Sequence, residues 1–534
     1  MVSWLLLFSD VHAATYHVRT DGSNGSCNGL ADDAAGVAPN CAFLTIQKGV
    51  DAAIKAGDIV TIHSGVYHEW GLETKASGAA GNLITIQANP GDTVTLGNGT
   101  GDIHVYIQHD YIRFNGININ MPGGWGREGI YLTGSNCRIS NNRFYNGFMG
   151  NPGSFALNIS GNNNLIDKNI SEGSALTTAG THTGATGAAA LTDSRKSWTT
   201  NDRVGLRLFN QTKQAYCTIS ANTSNTATCA LSGGSTWSKG DYYTLGPTFY
   251  IVFHNEGNNT VFSNNIVRNV ADVERVWDAN GENVRVSGNE VSNMIYSGWD
   301  GVHPDIFQVL DSDRRTSKNW IIEKNYFHDL DSQIGINEMR AASTGGWIIR
   351  NNIFANITQR MMLNAKVYNN TFFQVQIGDQ NLMDYATASD FELKNNIIIG
   401  GSTNARFGML NRRNNGTDTT SISNNFYSLP MNKGYAARNS AVIAGYGDTG
   451  FINGGNPRFV AAYNNCLTSA CDFHLQASSP LIGKGMDLSV QWPGTTDYEG
   501  NARPQGWRIG WDIGAYQQGG FGRKPMPQPD KSTK

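Results

Sequence analysis

The segment from Trp299 to Gln308 carries the densest group of reactive side chains in the sequence. It combines the imidazole of His303 with the carboxylates of Asp300 and Asp305 and the amide of Gln308. Grouped carboxylates hold a cation through hard oxygen ligands, or act as general acid and base on a glycosidic bond. Each aspartate taken alone also fits a turn cap that accepts backbone hydrogen bonds. The grouping favours a functional site.

A second acidic group follows downstream, at Asp329 and Asp331, and Arg340 comes after it. If the two segments lie on adjacent layers of the fold, their carboxylates can share a cation. The predicted cofactor is therefore Ca²⁺, with Asp305, Asp329 and Asp331 as the candidate ligands.

Basic residues cluster near these acids although the net charge of the whole chain is only −3. Guanidinium groups bind carboxylates through two parallel hydrogen bonds, so the expected ligand is an anionic polysaccharide that contains uronates. Uronates permit β-elimination, in which the C5 proton is removed next to a neutralised carboxylate. The predicted base is Arg340 or His303, and Asp305 and Asp331 are predicted to orient the substrate or bind the cation. The candidate basic contacts to the substrate are Arg275, Arg360 and Lys366.

Further substrate contacts are predicted on the strands around this segment. Alternate side chains of a strand face the same side, and stacked strands repeat at about 4.8 Å. A polar column can therefore contain Asp278, Gln308 and either Asn337 or Glu338. Trp277 and Trp299 can stack on sugar rings, and core filling is the alternative for either one.

The elements that must position these residues come from an internal repeat. An apolar pair, a polar residue and then asparagine recur along the chain at intervals of about 18 to 36 residues. The alternation within each copy has the period of a strand, and a repeat of this length indicates a solenoid with one continuous core. Asparagine at one fixed point suits a left-handed turn and a ladder of side-chain amides. A sandwich with recurrent turns is the alternative. The repeat favours a parallel β-helix, and its asparagines are Asn142, Asn169, Asn265, Asn289, Asn325, Asn352, Asn370, Asn396 and Asn425.

Both ends of the chain extend this interpretation. Residues 43–57 have an apolar helical face with Gly57 as its stop signal, which predicts a helix that caps the open end of the solenoid. The order of Thr45-Ile46-Gln47, Gly57-Asp58-Ile59-Val60 and Gly65-Val66-Tyr67, with Asp512-Ile513-Gly514-Ala515-Tyr516 near the far end, resembles secreted proteins of the pectate-lyase-like superfamily. The resemblance implies a right-handed parallel β-helix that acts on carbohydrate. The catalytic signatures of pectate lyases and polygalacturonases are absent, so no catalytic residue is transferred from the family.

The repeat is interrupted between Asn169 and Asn265 by a segment rich in Thr, Ser and Ala. We predict an all-β chain made of a right-handed parallel β-helix, an N-terminal capping helix and a small β insertion domain. The predicted divisions are 1–14 as signal peptide, 15–174 as cap and first coils, 175–246 as the insertion, 247–450 as coils with the groove, 451–518 as closing segment and 519–534 as a disordered tail.

Cysteine spacing and composition indicate where the protein is located and which classes of partner it can have. Six of the seven cysteines form local pairs, Cys27 with Cys41, Cys217 with Cys229 and Cys466 with Cys471, which predicts disulfides and export. Cys137 is left as a core residue. We expect a secreted or periplasmic monomer without a membrane span, and the small net charge argues against a nucleic-acid partner.

Three functions remain open on the sequence. A lyase that cleaves a uronate polysaccharide by β-elimination is favoured, because basic residues accompany the acids. A glycoside hydrolase would use paired carboxylates in the same groove. A non-catalytic, adhesin-like β-helix that binds glycan would not need the combination of His303, Asp305, Asp331 and Arg340 on one face.

Overall fold

The structure is a computed structural model that describes residues 13–97, 103–121, 128–147, 155–246, 249–309, 316–331, 334–337, 344–357, 360–361, 365–375, 392–400, 421–428, 450, 452–504 and 510–518. Within them, three long sheets are wound from successive strands of each coil, and every neighbouring pair of strands in them is parallel. The predicted right-handed parallel β-helix, with its capping helix and β insertion, is confirmed.

Sheet A is built from the repeated phrase that the sequence shows. In each copy the central apolar residue points into the solenoid, as at the fully buried Ile322 and Ile349. Stacked apolar side chains give each coil the core that it lacks alone. The strands of sheet A are Thr15–Val18, Ile59–Ile62, Ile84–Ala88, Ile112–Asn115, Arg138–Ser140, Leu165–Asp167, Val261–Ser263, Arg285–Ser287, Ile321–Glu323, Ile348–Arg350, Lys366–Tyr368, Glu392–Lys394 and Ser421–Ser423.

Sheet B begins directly after the asparagine turn of each coil. Its outer face on the later coils is covered, because Phe373 of sheet B joins a buried cluster with Phe459 and Phe473 of the C-terminal segment. The strands of sheet B are Gly65–Tyr67, Val94–Leu96, Asn118–Asn120, Arg143–Tyr145, Ile170–Glu172, Ile266–Ala271, Glu290–Ile295, Tyr326–Leu330, Ile353–Ile357, Thr371–Val375, Ile397–Gly400, Phe426–Ser428 and Ile452–Asn453.

Sheet C precedes the next asparagine phrase and completes the coil. Aromatic rings stack along its inner side, where Trp277 lies 4.8 Å from Phe307 between ring centroids. Its strands are Leu72–Glu73, Ile103–Ile107, Glu128–Leu132, Phe155–Ile159, Ile251–Asn255, Arg275–Ala279, Asp305–Gln308, Ile334–Asn337 and Arg360–Met361. A short parallel sheet follows it, with strands Gly281–Glu282, Ser317–Lys318 and Thr344–Gly345.

The repeated asparagines form a buried ladder between sheets A and B. The Nδ2 of each one before Asn425 donates to the Oδ1 of the asparagine one coil further on, at 2.9 to 3.0 Å. The predicted amide ladder is confirmed. The left-handed backbone, however, belongs to the residue before the ladder asparagine, for example Lys324 at φ 57° before Asn325. In each turn, the left-handed backbone and the ladder amide therefore belong to two adjacent residues.

The N-terminal end is closed by the helix Ile46–Ala52. The hydroxyl of Thr45 accepts a hydrogen bond from the backbone N–H of Lys48 and so caps the helix. Ile46 and Val50 are buried against the first strands, which covers core that the open solenoid would expose. A 3₁₀ turn, Ala35–Val37, precedes the helix.

The insertion leaves the solenoid between sheet B and sheet C and has its own core around the fully buried Trp237. Its two antiparallel sheets contain the strands Thr178–Thr181, Tyr242–Leu245, Arg207–Asn210 and Ala215–Thr218, and the strands Leu191–Thr192, Thr226–Thr228 and Ala221–Asn222. A 3₁₀ turn, Ser232–Gly234, lies in the connection from the strand Thr226–Thr228 to the strand Tyr242–Leu245.

The C-terminal segment folds back on the solenoid and pairs the strands Phe459–Ala461 and Asp472–Leu475. The predicted disulfides are present between Cys27 and Cys41, Cys217 and Cys229, and Cys466 and Cys471. Cys137 is free and buried, as expected of a core residue. The predicted signal peptide, apart from its last two residues, and the predicted tail lie outside the described residues.

Candidate functional site

One row of polar side chains runs across sheet C from coil to coil. The strand registers place Asp278 opposite Gln308 and Gln308 opposite Asn337, which is the column expected from strand alternation. The row continues toward the N-terminus through His254 and Asn158. Parallel pairing brings such residues to about 4.8 Å spacing. Side chains far apart in the sequence therefore become neighbours on one face.

His254 is held between two carboxylates in this row. Its Nδ1 lies 2.6 Å from Oδ2 of Asp278, and its Nε2 lies 3.1 Å from Oε1 of Glu256. Asn280 donates from Nδ2 to the other oxygen of Asp278 at 3.1 Å. The two contacts fix the orientation of the imidazole, with one carboxylate at each ring nitrogen, in a nearly buried position.

A second polar unit adjoins the row. The guanidinium of Arg275 donates from Nε to Oε1 of Gln308, and its Nη2 lies 3.4 Å from Oε1 of Glu274. The same guanidinium lies over the ring of Tyr250, with Cζ 5.5 Å from the ring centroid. Arg275 is buried, so its charge is screened little by solvent. A positive charge is thus fixed beside Gln308 on sheet C.

His303 lies at the edge of this unit, in the turn that leads into the strand Asp305–Gln308. Its backbone N–H donates to Oε2 of Glu274 at 2.7 Å, and its Nδ1 lies 4.0 Å from Oε1 of the same residue. The His303 side chain is 56% exposed. Burial raises the pKa of the Glu274 carboxyl, against the hydrogen bond from His303 and the charge of Arg275, which lower it. An accessible imidazole therefore stands beside a shielded acid.

The other acids predicted to act in catalysis lie in different surroundings. Asp305 has the same register position as Arg275, and its side chain is fully buried. Asp331 is exposed and follows sheet B, where its backbone N–H donates to the carbonyl of Met294 at 2.8 Å. Asp305 and Asp331 therefore lie in different surroundings, and their roles in orienting the substrate or binding a cation stay predictions.

Three more residues that were predicted to bind the substrate or a cation lie away from the polar row of sheet C. Trp277 is fully buried in the core, because its ring packs among the stacked aromatics, so it does not stack on sugar. Lys366 belongs to sheet A, and its Nζ lies 3.7 Å from Glu392. Asp329 uses both carboxylate oxygens to accept the backbone N–H of Cys466 at 3.1 Å and so anchors the C-terminal segment.

The remaining predicted contacts are located only in part. Trp299 is half-buried in the turn before His303, and its backbone carbonyl accepts from the hydroxyl of Tyr296 at 2.9 Å. Arg360 lies on sheet C in register with Ile334, which places its backbone in the Arg275 column. Glu338 and Arg340 lie outside the described residues.

The three predicted calcium ligands do not converge. Within the described parts of the chain, only His17, Asp32 and His63 bring three potential ligand atoms within 4.8 Å of one another. Asp305, Asp329 and Asp331 form no such group. Calcium dependence stays a prediction for the chain, without these three residues as its site.

The sequence prediction does not include His254, Glu256 and Glu274. A signal for the first two exists, because Ile251–Asn255 is a strand that precedes an asparagine phrase, as the strand of Asp278 does. The predicted polar column begins only at Asp278, on the following coil, and so leaves this strand out. Glu274 had no signal in the sequence, since its position depends on how the turn from sheet B enters sheet C.

Comparison with known proteins adds a likeness of fold. No protein-family model matches the chain, and no curated protein matches its sequence. Solved structures that it resembles include a pectate lyase at 14% identity, with 95% of this chain and 97% of the other covered and a TM-score of 0.41. A rhamnogalacturonan lyase matches at 15% identity over 77% and 87%, with a TM-score of 0.42. A complex of XylC with xylose matches at 11% identity over 94% and 98%, with a TM-score of 0.41.

The part of the chain that the structure describes contains no helix long and apolar enough to cross a membrane.

Proposed function

We propose that the chain is a secreted enzyme that cleaves a uronate-containing polysaccharide by β-elimination on the outer face of sheet C. One observation carries the proposal: Arg275, His254 and the exposed His303 lie on one face, and acidic or amide groups hold each of them. A cation beside imidazoles can neutralise a uronate and move protons. Three disulfides support export to an oxidising compartment.

Each step of the elimination has a candidate group. The guanidinium of Arg275 pairs with the uronate carboxylate, which makes the C5 proton more acidic. His303 takes that proton, because its imidazole is accessible and imidazole is a common general base. The C4–O bond breaks as the C4=C5 double bond forms. The leaving oxygen receives a proton from His254, the imidazole fixed between Asp278 and Glu256.

Glycosidic hydrolysis is the second candidate, and Glu274 favours it. Burial raises the pKa of this carboxyl, and a raised pKa suits a general acid that protonates a leaving oxygen. Asp278 would then have to act as the base or nucleophile, although its oxygens are engaged by His254 and Asn280. Elimination asks only that His254 release its contact with Glu256 when it gives up its proton, and it leaves the contacts of Asp278 in place, so we prefer it.

The test is incubation of the purified chain with a panel of uronate and neutral polysaccharides, with ultraviolet absorbance and reducing ends followed in parallel. A lyase produces absorbance from the new double bond, and a hydrolase produces reducing ends alone. His303→Ala and Arg275→Gln should abolish the signal. The matched control is His68→Ala, because His68 is an exposed histidine on an early coil.

The outcomes separate the three functions. Absorbance that His303→Ala abolishes supports elimination on sheet C. Reducing ends without absorbance assign the carboxylates to hydrolysis. If no substrate of the panel gives either signal but the chain still binds glycan on an affinity matrix, both enzyme functions are rejected and the chain is a non-catalytic binding protein. Added Ca²⁺ after chelator treatment tests whether the reaction needs that cation.

A further inference from the structure

Two histidines and an aspartate converge at the N-terminal end, away from sheet C. His17 lies on the first strand of sheet A, His63 follows the second, and Asp32 lies in the loop closed by Cys27 and Cys41. The potential ligand atoms of the three side chains all lie within 4.8 Å of one another. Nothing in the reaction proposed above uses this cluster.

The spacing of the ligand atoms matches a small tetrahedral metal ion. Nδ1 of His17 lies 3.1 Å from Nε2 of His63, and Nε2 of His63 lies 3.2 Å from Oδ1 of Asp32. Zinc binds imidazole nitrogen and carboxylate oxygen at about 2.0 to 2.2 Å, so two ligands of a tetrahedral site are about 3.3 Å apart. The three side chains therefore need little rearrangement to close around such an ion.

The surroundings already orient one of the ligands. The second nitrogen of His63, Nδ1, lies 3.4 Å from Oδ2 of Asp92, and Nδ2 of Asn89 donates to that oxygen at 3.0 Å. A carboxylate behind a histidine fixes the tautomer that presents a lone pair to a metal. The side chain of His63 is only 13% exposed, whereas that of Asp32 is 44% exposed and leaves an open route from solvent.

Two features of the surroundings affect the affinity of this cluster for a metal ion. Arg19 donates from Nη1 to Oδ1 of Asp32 at 2.9 Å, and its charge opposes a dication. A carboxylate oxygen has two lone pairs, so Oδ1 can accept this bond and still ligate. Burial and the neighbouring His63 lower the pKa of His17, so the surroundings disfavour a second positive charge beside Arg19.

We propose that His17, Asp32 and His63 form a binding site for a first-row transition dication, Zn²⁺ by preference, with water as the fourth ligand. Nitrogen and carboxylate donors in a tetrahedral arrangement select zinc over calcium, which takes six to eight oxygens. The bound ion ties the disulfide loop to the first two strands of the solenoid.

The test uses the full-length chain after chelation and dialysis. Zn²⁺ binding is measured by calorimetry, and Co²⁺ is used as a visible probe because a tetrahedral site gives it intense absorbance bands. We expect one ion per chain and a tetrahedral Co²⁺ spectrum. His63→Ala and Asp32→Asn should each weaken binding at least about 100-fold, and Asp92→Asn about 10-fold. His68→Ala should bind as the parent does.

Several results would overturn the site. They are an absence of stoichiometric Zn²⁺ binding, a Co²⁺ spectrum of an octahedral ion, or equal binding by the parent and the Asp32→Asn variant. Asp32 is partly exposed in a loop, so this variant should fold, and circular dichroism with a thermal scan in chelator checks that it does. Zn²⁺ should raise the melting temperature of the parent and leave that of His63→Ala unchanged.

Discussion

Nδ1 of His254 lies 2.6 Å from Oδ2 of Asp278, although 24 residues separate the two in the sequence. They occupy the same register position on adjacent strands of sheet C. A strand that alternates inward and outward residues repeats its outward position on the next coil, so the solenoid builds a polar pair from residues on two coils. The pair fixes the imidazole without help from a flexible loop.

Asp278→Asn tests the role of this pair in the proposed reaction. The amide keeps the volume of the side chain but removes the negative charge that holds the imidazole. We expect kcat to fall about 100-fold, the lower range for loss of a positioned proton donor, with a smaller change in KM. The measurement is initial rate by ultraviolet absorbance on the best polysaccharide of the panel. Asp300→Asn is the matched control, because Asp300 is exposed in the turn before His303.

A fall in kcat that Asp300→Asn reproduces would contradict a specific role for Asp278. An unchanged rate with Asp278→Asn would remove His254 from the reaction and leave His303 with Glu274 as the remaining proton-transfer unit.

Trp277→Ala should unfold the solenoid locally rather than weaken glycan binding. Trp277 is fully buried and stacks on Phe307, so truncation leaves a cavity in the aromatic core. Removing a buried aromatic side chain costs about 3 to 5 kcal/mol of unfolding free energy. Urea denaturation followed by fluorescence measures that loss. Trp299→Ala, at a half-buried turn position, should cost less than about 1 kcal/mol. Equal losses in the two variants would contradict the assignment of Trp277 to the core.

The sequence predicted the solenoid well because each coil repeats the same local requirement. An asparagine that bonds to its copies must recur at one point of every coil, and the apolar residues before it must face inward. Both features are visible without knowledge of the structure, and Asn289, Asn325 and Asn352 show them in successive coils. The local pairs of cysteines were equally readable, since closure of a short loop needs little tertiary information.

The candidate site was less predictable, because sequence alternation does not show which face of a strand is the inner one. Trp277 and Asp278 are adjacent in the sequence and so lie on opposite faces, and only the structure shows that Trp277 faces the core and Asp278 lies in the polar row. Lys366 follows a short coil, so the chain reaches sheet A sooner than equal spacing suggests. The position of Glu274 depends on the turn from sheet B into sheet C, and the sequence repeat does not determine the path of that turn.

Asn325→Ala tests the ladder. The side chain of Asn325 accepts from the backbone N–H of Asn289 at 2.9 Å and donates to the carbonyl of Val286 at 2.9 Å and to Oδ1 of Asn352. Truncation leaves these buried groups without their partner, at about 1 to 3 kcal/mol for each. We expect a loss of at least about 3 kcal/mol of unfolding free energy, measured by chemical denaturation.

The control for the ladder is Asn319→Gly, because the backbone of Asn319 is left-handed at φ 56° and glycine adopts that conformation without strain. Asn319 donates from Nδ2 to Oδ1 of Asn283 at 3.0 Å in an exposed row, where water replaces a lost bond. Loss of this exposed hydrogen bond should lower the free energy of unfolding by less than about 1 kcal/mol. If both variants were equally stable, the buried ladder would contribute no more than an exposed one.

Asp272 links the insertion to the solenoid and should make stability depend on pH. Its Oδ2 accepts from Nε2 of Gln211 in the insertion at 3.0 Å, and its Oδ1 accepts from the backbone N–H of Ser297 at 2.7 Å. Burial raises the pKa of Asp272 to about 7. The folded chain therefore binds a proton that the unfolded chain has released, and stability falls as pH rises from about 4 to about 7. Between pH 5 and pH 8 this carboxyl should account for about 3 kcal/mol of lost stability.

Asp272→Asn should remove that dependence. Among the described groups, Oε1 of Gln211 has no hydrogen-bond partner, so rotation of this amide by half a turn lets it accept from the new amide. Asparagine also tolerates the left-handed backbone found at this position, φ 47°. We expect the variant to be more stable than the parent at pH 8 and close to it at pH 5. Thermal melts of both proteins at the two pH values measure this difference. A parallel loss of stability in parent and variant would mean that another group titrates, and that Asp272 keeps its charge in the folded chain.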